Sequence, residues 1–335
     1  MLLIVTGPSG GHILPAKAVA QAWLDQGHSC HWIGREGSLE HQIADKMQIN
    51  FDVIQAVNFR AIRIFNVLSM IKQLYHWVIS VKSVIIRVQP KAVFLTGSYM
   101  TIVPGIICWF YNIPVVLHEQ NAVMGYANRF LSCFSTLNIG AYPLKNIELV
   151  GNPVGYPTYK ERFHQNLLII GGSLGSAYLN QTLPELLKIY PQLKIKHICG
   201  KHQKKVEHLY QLRGINAEVI SFSHDMLSLY EWADMVVCRA GAMTLAEITA
   251  HRLPALTVPL PNASQNHQYY NAKYFLDQQA ILLSNQDQDS LRSGLKKLIT
   301  DHDYRIYMMK MLHQLQTPNA TQEITTLIKK VINDS

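Results

Sequence analysis

His12 sits in the stretch TGPSGGHILP (6–15), directly after four apolar residues, LLIV. A neutral imidazole can take a proton from a hydroxyl nucleophile at cellular pH, which makes His12 a candidate general base. It can equally be a capping or loop histidine. A second polar group, HEQN (118–121), again ends an apolar run. Ala122 follows Asn121, so this is not the H-E-x-x-H of a zinc peptidase. His118 is expected to brace the loop, while Glu119, Gln120 and Asn121 are expected to direct hydrogen-bonding groups at a ligand. In RAGAMTLAE (239–247) the carboxylate of Glu247 can accept two hydrogen bonds from vicinal ribose hydroxyls, or be a solvated helix residue. Arg239 can neutralise a diphosphate or pair with an acid. The amide-rich NASQNHQYYNA (262–272) suits neutral sugar hydroxyls. With no D-x-D pair in these segments to hold a metal-bound diphosphate, a diphosphate here is expected to meet amides, helix ends and Arg239 rather than a metal ion.

Three small-residue loops, 7–11, 171–175 and 239–242, must position these groups, and each follows an apolar strand. A helix N-terminus leaves its first amides unpaired and carries partial positive charge, and glycine lets an anion come close. In parallel sheets ligands bind at the C-terminal ends of strands, where such loops lie. GPSGGH is neither G-x-G-x-x-G nor a Walker loop, so neither a nicotinamide cofactor nor ATP hydrolysis is implied. Strands are predicted at 2–5, 29–34, 91–97 and 114–121, and helices from Pro15 to Gly27 and over 64–88. The strand–glycine–helix pattern returns at 166–180, after a hinge-like GNPVGYP (151–157). Segments 194–200, 233–250 and 253–260 continue it, and 320–334 closes the chain as a helix. Alternating strands and helices predict parallel α/β sheets, in two similar domains facing across a cleft or in one larger mixed sheet.

The 335 residues are 48% hydrophobic and only 16% charged, with a formal net charge of +8, which favours an anionic partner. The five cysteines lack zinc-site spacing and are expected to be plain buried thiols in a reducing compartment. MLLIVTG reads as a first strand rather than a secretory segment. The run 101–116 is broken by Pro104, Asn112 and Pro114, short of the roughly 20 residues that a membrane helix needs. A cytoplasmic protein with membrane contact at its surface is expected. Between Val53 and His118 there is no Asp or Glu, while Arg60, Arg63, Lys72, Lys82, Arg87 and Lys91 alternate with Phe59, Ile62, Phe65, Leu68, Ile71, Trp77, Ile79 and Ile85. The pattern fits a face resting on anionic lipid, against a buried helix with a basic rim. Nucleic acid is disfavoured, because its surfaces show fewer Ile and Val between lysines.

Taken in order, GGH (10–12), HEQNAVMGYANR (118–129), GNPV (151–154), GGSLGS (171–176), DMLSLYEWADMVVCRAGAMTLAE (225–247) and NHQYYNA (266–272) resemble the bacterial MurG family of N-acetylglucosaminyltransferases. The resemblance implies a GT-B glycosyltransferase with two Rossmann-like domains around a deep cleft and neither cofactor nor essential metal. It implies transfer of N-acetylglucosamine from UDP-GlcNAc to the C4 hydroxyl of the muramoyl sugar of lipid I, with inversion, on the inner face of the cytoplasmic membrane. Residues 1–155 would hold the acceptor and touch the membrane, 156–318 would hold the donor, and 319–335 would pack back on the first domain. Ser173, Arg239, Ala242, Met243, Thr244, Glu247, His267, Gln268 and Asn271 would bind the donor. Gly10, Gly11, Tyr99, Asn121 and Asn128 would line the acceptor side, with His12 as base and Glu119 as the alternative. The chain departs from the family at Pro8 and Ser9 in the first loop, at Ser98 where a glycine usually stands, and at Ala240 in place of serine. Gly155 replaces a usual arginine, which either weakens acceptor-diphosphate binding or passes that task to Arg129 or another basic side chain.

Overall fold

The computed structural model describes residues 1–334 apart from 58–66, 158–163, 173 and 224. The chain divides into two compact units, Met1–Pro153 with Asn319–Ser335, and Val154–Pro318. The first unit runs β1 (Leu2–Val5), α1 (Gly10–Asp25), β2 (Cys30–Gly34), α2 (Leu39–Lys46), β3 (Asn50–Val53) and α3 (Val67–Val88). It continues through β4 (Ala92–Leu95), α4 (Ile102–Phe110), β5 (Val115–Glu119), α5 (Tyr126–Leu131), β6 (Leu137–Gly140) and β7 (Glu148–Leu149). Its strands form one parallel sheet in the order β3-β2-β1-β4-β5-β6-β7. β1 is buried throughout, as expected of a strand covered on both faces. Leu2 and Ile4 face Ile13, Val19 and Trp23 of α1, whereas Leu3 and Val5 face Trp77, Val81 and Ile85 of α3, the period-two alternation of a strand.

α1 begins at Gly10, not near Pro15. Ser9 is extended, with φ −104° and ψ 152°, and its carbonyl accepts from the amides of His12 and Ile13. Pro15 therefore lies inside the helix, where it removes only the bond that the exposed Gly11 carbonyl would have received. His12 consequently belongs to the first helical turn rather than to a loop.

The second unit contains β8 (Asn166–Ile170), α6 (Ala177–Leu187), β9 (Lys194–Ile198), α7 (Gln203–Gln211), β10 (Ala217–Ile220), α8 (Met226–Trp232) and β11 (Met235–Cys238). α9 (Ala242–His251), β12 (Ala255–Thr257), α10 (His267–Asp277), β13 (Leu282–Leu283), α11 (Gln288–Thr300) and α12 (His302–Gln314) complete it. Its parallel sheet, β10-β9-β8-β11-β12-β13, repeats the strand order of the first unit. The alternative of one mixed sheet is thereby set aside. Leu167 and Ile169 of β8 pack with Leu179 and Leu183 of α6 and with Leu295 and Leu298 of α11. The last helix, α13 (Ala320–Asn333), returns to the first unit, where Ile324 and Ile328 are fully buried against the β1–α1 core.

The acid-free stretch divides by helix phase. Trp77, expected to suit a lipid-facing surface, is only 1% exposed and belongs to the core with Ile85. Ile71 and Ile79 are exposed, as are Tyr75 and Ile86 on the same helix. Trp109 and Phe110 at the end of α4, and Tyr126 and Phe130 of α5, extend the exposed apolar set, and α4 packs against both α3 and α5. Arg87 is not an uncompensated charge, because it pairs with Asp52. Phe59, Arg60, Ile62, Arg63 and Phe65, and the side chain of Leu68, lie outside the described residues. No helix among the described residues is long and apolar enough to cross a membrane. Four cysteines are buried and Cys133 is exposed, all as free thiols.

Candidate active site

The order of the first sheet reverses between β1 and β4, and ligands of doubly wound sheets bind at this point, outside the carboxyl ends of the strands. His12 occupies it. Its Nδ1 lies 2.6 Å from the carbonyl oxygen of Thr96, just past β4, and 3.1 Å from Oε1 of Gln120. Both are acceptors, so Nδ1 carries the proton and Nε2 keeps its lone pair. Gln120 is itself fixed: its Nε2 donates to Nδ1 of His118 and to the His118 carbonyl, both at 2.9 Å. His118 completes the series by donating from Nε2 to the Gly151 carbonyl at 3.0 Å. Burial pushes the His118 pKa down, so this imidazole stays neutral and its Nδ1 remains an acceptor.

Close approach of backbone makes this packing possible. A Cβ on Gly7 would come within 2.6 Å of the Ser98 Cβ and 2.7 Å of the His12 ring, and one on Gly97, at φ +99°, within 2.7 Å of Asn128 Oδ1. Ser98 itself has φ 82° and ψ 160°, a region that favours glycine. The Ser98 carbonyl is pinned by the amide and hydroxyl of Thr101. Tyr99 follows it, half-buried against the α3 side of the sheet. Gly10 and Gly11 open α1, with no atom crowding the Cβ position of Gly10.

Two of the expected roles change here. Glu119, proposed as the alternative base, is 2% exposed and accepts from the Asn121 amide and side chain and from Gly125 N and Asn128 Nδ2, at 2.7–3.1 Å. Four donors occupy its lone pairs, so it holds the 119–128 loop rather than waiting for a substrate proton. Asn128, expected on the acceptor, is spent on that carboxylate and is itself buried. Gln120 also does not face a ligand; it faces His12.

In the second unit the corresponding reversal lies between β8 and β11. α9 starts there, after Gly241, and its first turn leaves the amides of Ala242, Met243 and Thr244 without helical partners. The Ala242 and Met243 side chains are buried, so these residues offer backbone. Arg239 pairs with no acid among the described residues. Its Nη1 donates to the carbonyls of Val258 and Pro259, at 2.9 and 3.1 Å, and fixes the end of β12. Glu247, on α9, accepts from the Tyr230 hydroxyl at 2.7 Å, and burial pushes its carboxyl up to about 7. It is thus neither the solvated residue nor a simple surface acid. Asn271, expected at the sugar, is fully buried and donates to the Ala240 carbonyl at 3.2 Å, bracing the loop that opens α9. Gln268 accepts from Leu260 N through Oε1, leaving its amino group available, and His267 bonds the Ser264 carbonyl through Nδ1. Gln265 and Asn266, both at positive φ, make the turn that starts α10 at His267. Ser173 lies outside the described residues. No group of three or more His, Cys, Asp or Glu among the described residues could hold a metal ion.

Sequence placed Gln120 at a ligand rather than on His12, and it did not single out Tyr230. Gln120 offered one signal, its place beside His118 at a strand end, but nothing local showed its partner 108 residues away. Tyr230 looked like any aromatic on an amphipathic helix.

Two Rossmann-like units of repeated strand order, one carrying a held imidazole and the other a free helix end beside a carboxylate, have the architecture of the GT-B fold. The chain matches the Glycosyltransferase family 28 N-terminal domain over residues 2–137 and the family 28 C-terminal domain over 166–324. It is 32% identical to the UDP-N-acetylglucosamine–N-acetylmuramyl-(pentapeptide) pyrophosphoryl-undecaprenol N-acetylglucosamine transferase of Marinobacter nauticus, over 99% of this chain and 97% of that one. The transferase of the same name from Actinobacillus pleuropneumoniae serotype 5b is 34% identical, over 98% and 97%. The crystal structure of Acinetobacter baumannii MurG superposes with a TM-score of 0.82 at 28% identity, covering 98% of this chain and 99% of that chain. The chain belongs to the MurG family of N-acetylglucosamine transferases.

Proposed function

We propose that this protein transfers N-acetylglucosamine from UDP-GlcNAc to the C4 hydroxyl of the N-acetylmuramoyl sugar of lipid I, undecaprenyl-pyrophosphoryl-MurNAc-pentapeptide, with inversion. The observation that carries this reading is likeness to transferases of that name along almost the whole chain, at 32–34% identity. The local geometry within each unit supports the following mechanism. The bonds at Nδ1 leave Nε2 as the lone-pair nitrogen of the neutral His12 ring, and Nε2 takes the proton from the acceptor hydroxyl as its oxygen attacks the anomeric carbon. The bond from that carbon to the diphosphate oxygen breaks, and UDP leaves with the electron pair. The unpaired amides of Ala242–Thr244 and the positive end of α9 receive the charge. A single displacement of this kind inverts the centre.

In this reading Glu247 accepts from the ribose hydroxyls, and the Gln268 amino group and His267 serve the donor sugar. Arg239 and Asn271 hold the walls of the donor site. Gly10, Gly11, Tyr99 and Asn121 line the acceptor side, and Glu119 and Asn128 shape its loop. The exposed apolar residues of α3, α4 and α5, with Lys72, Lys82 and Arg129 among them, rest on anionic phospholipid at the cytoplasmic face of the inner membrane.

Incubation with UDP-GlcNAc and a lipid I analogue should give UDP and the disaccharide product in equal amounts. Replacing His12 by alanine should lower kcat by about 10²- to 10⁴-fold while the donor KM stays nearly unchanged. N-acetylmannosamine in place of disaccharide would mark an epimerase. Loss of donor affinity in step with turnover would remove His12 from the role of base.

A further inference from the structure

Tyr230 touches none of the groups that react, yet it holds one that binds. It lies on α8 and is 1% exposed, with its ring against that of His251 at 5.1 Å between centroids. Its hydroxyl donates to Oε2 of Glu247 at 2.7 Å. Thr244 and Glu247 are three residues apart on α9, so they share a face of that helix. Thr244 belongs to the turn that offers free amides, and Glu247 lies one turn further on. A buried phenol must place its proton, and here the proton goes to a ligand-binding residue of α9.

We infer that Tyr230 is a positioning residue for the nucleotide: its phenol fixes the Glu247 carboxylate, so that the ribose anchor of α9 keeps its place one turn beyond the amides that receive the diphosphate. The inference rests on the reading of α9 as the nucleotide end of the donor site. Occupying one carboxylate oxygen from inside the protein leaves the other oriented toward two vicinal hydroxyls. The same bond favours the ionised carboxylate against burial, which pushes it up to about 7. The ionisable groups nearby are Tyr230 itself, Cys238 of β11, pushed up to about 12 by burial, and His251 one turn along α9. None is a carboxylate or a fixed cation, so the phenol is the group best placed to set this charge.

The test uses the full-length protein with UDP-GlcNAc and a lipid I analogue. Y230F should raise the donor KM roughly five- to tenfold, as expected for one hydrogen bond to a charged group, and leave kcat and the acceptor KM unchanged. The fall in donor kcat/KM on acidification should begin at a higher pH than in the parent, because the ionised carboxylate has lost a donor. E247Q should raise the donor KM and remove that acid limb, and adding Y230F to E247Q should change nothing further. An unmoved KM and acid limb in folded Y230F, or an undiminished Y230F effect on top of E247Q, would overturn the inference. An E247Q variant with the parent donor KM would instead show that the ribose contact is absent, and the inference would fall with it. Should Y230F melt below assay temperature, UDP titration by calorimetry in the cold reads the same affinity and its pH dependence.

Discussion

Three neutral groups, the Thr96 carbonyl, the Gln120 amide and the His118 imidazole, decide which nitrogen of His12 carries its proton. A carboxylate in the Gln120 position would do the same and would also place a negative charge beside the ring; the amide orients without adding charge. The cost of this packing falls on Ser98. Its backbone conformation costs on the order of 1–3 kcal/mol for a residue with a Cβ. Glycine would relieve that strain, at the expense of about 0.5–1 kcal/mol through a freer unfolded chain. Ser98→Gly is therefore expected to raise the melting temperature modestly, which thermal unfolding followed by circular dichroism can check. A lower melting temperature would mean that the Ser98 side chain, close to Gly7, stabilises the turn by more than the strain it imposes.

The amphipathic helices of the first unit make a separate prediction. Ile71 and Ile79 lie on exposed turns of α3, while Trp77 points into the core. The double variant Ile71→Glu/Ile79→Glu should reduce sedimentation with phosphatidylglycerol vesicles by about tenfold. Turnover of a short-chain, water-soluble acceptor should be preserved, and parent-like vesicle binding would move the lipid-facing surface elsewhere. Composition showed the acid-free, basic stretch but not its phase, which is why Trp77 was assigned to lipid. The strand–glycine–helix units were legible for a different reason. Each is local: an apolar run, a turn of small residues and a helix start within about a dozen residues, so His12 and Glu247 could be picked out. Residue type does not say whether an amide or carboxylate meets a ligand or the protein's own backbone. Glu119, Asn128 and Asn271 had the chemistry of ligand contacts, and their partners proved to be loop amides, a carboxylate and the Ala240 carbonyl. The start of α1 was misplaced because Pro15 suits a first turn, whereas Ser9 had already begun the helix.

On the scale of the whole chain, the sheet of the first unit depends on residues that come last in sequence. Ile324 and Ile328 of α13 are fully buried against β1 and α1. Burial of each such side chain contributes about 1.5–3 kcal/mol, a large share of the roughly 5–15 kcal/mol that separates folded from unfolded domains. A chain ending at Pro318 should lose the cooperative melting of the first unit, while UDP continues to raise the melting transition of the second in scanning calorimetry. An unchanged first transition would show that α13 adds little to that core.

The polypeptide passes between units twice, near Pro153 and near Pro318, and Tyr156 accepts a bond at 2.9 Å from Thr317 N across the two connections. The second unit is thus spliced into the first. A protease nick in the earlier connection alone would free no fragment, because the downstream piece stays anchored by its own last helix. Such a molecule could be expressed as two polypeptides that reassemble, with α13 serving as the clasp.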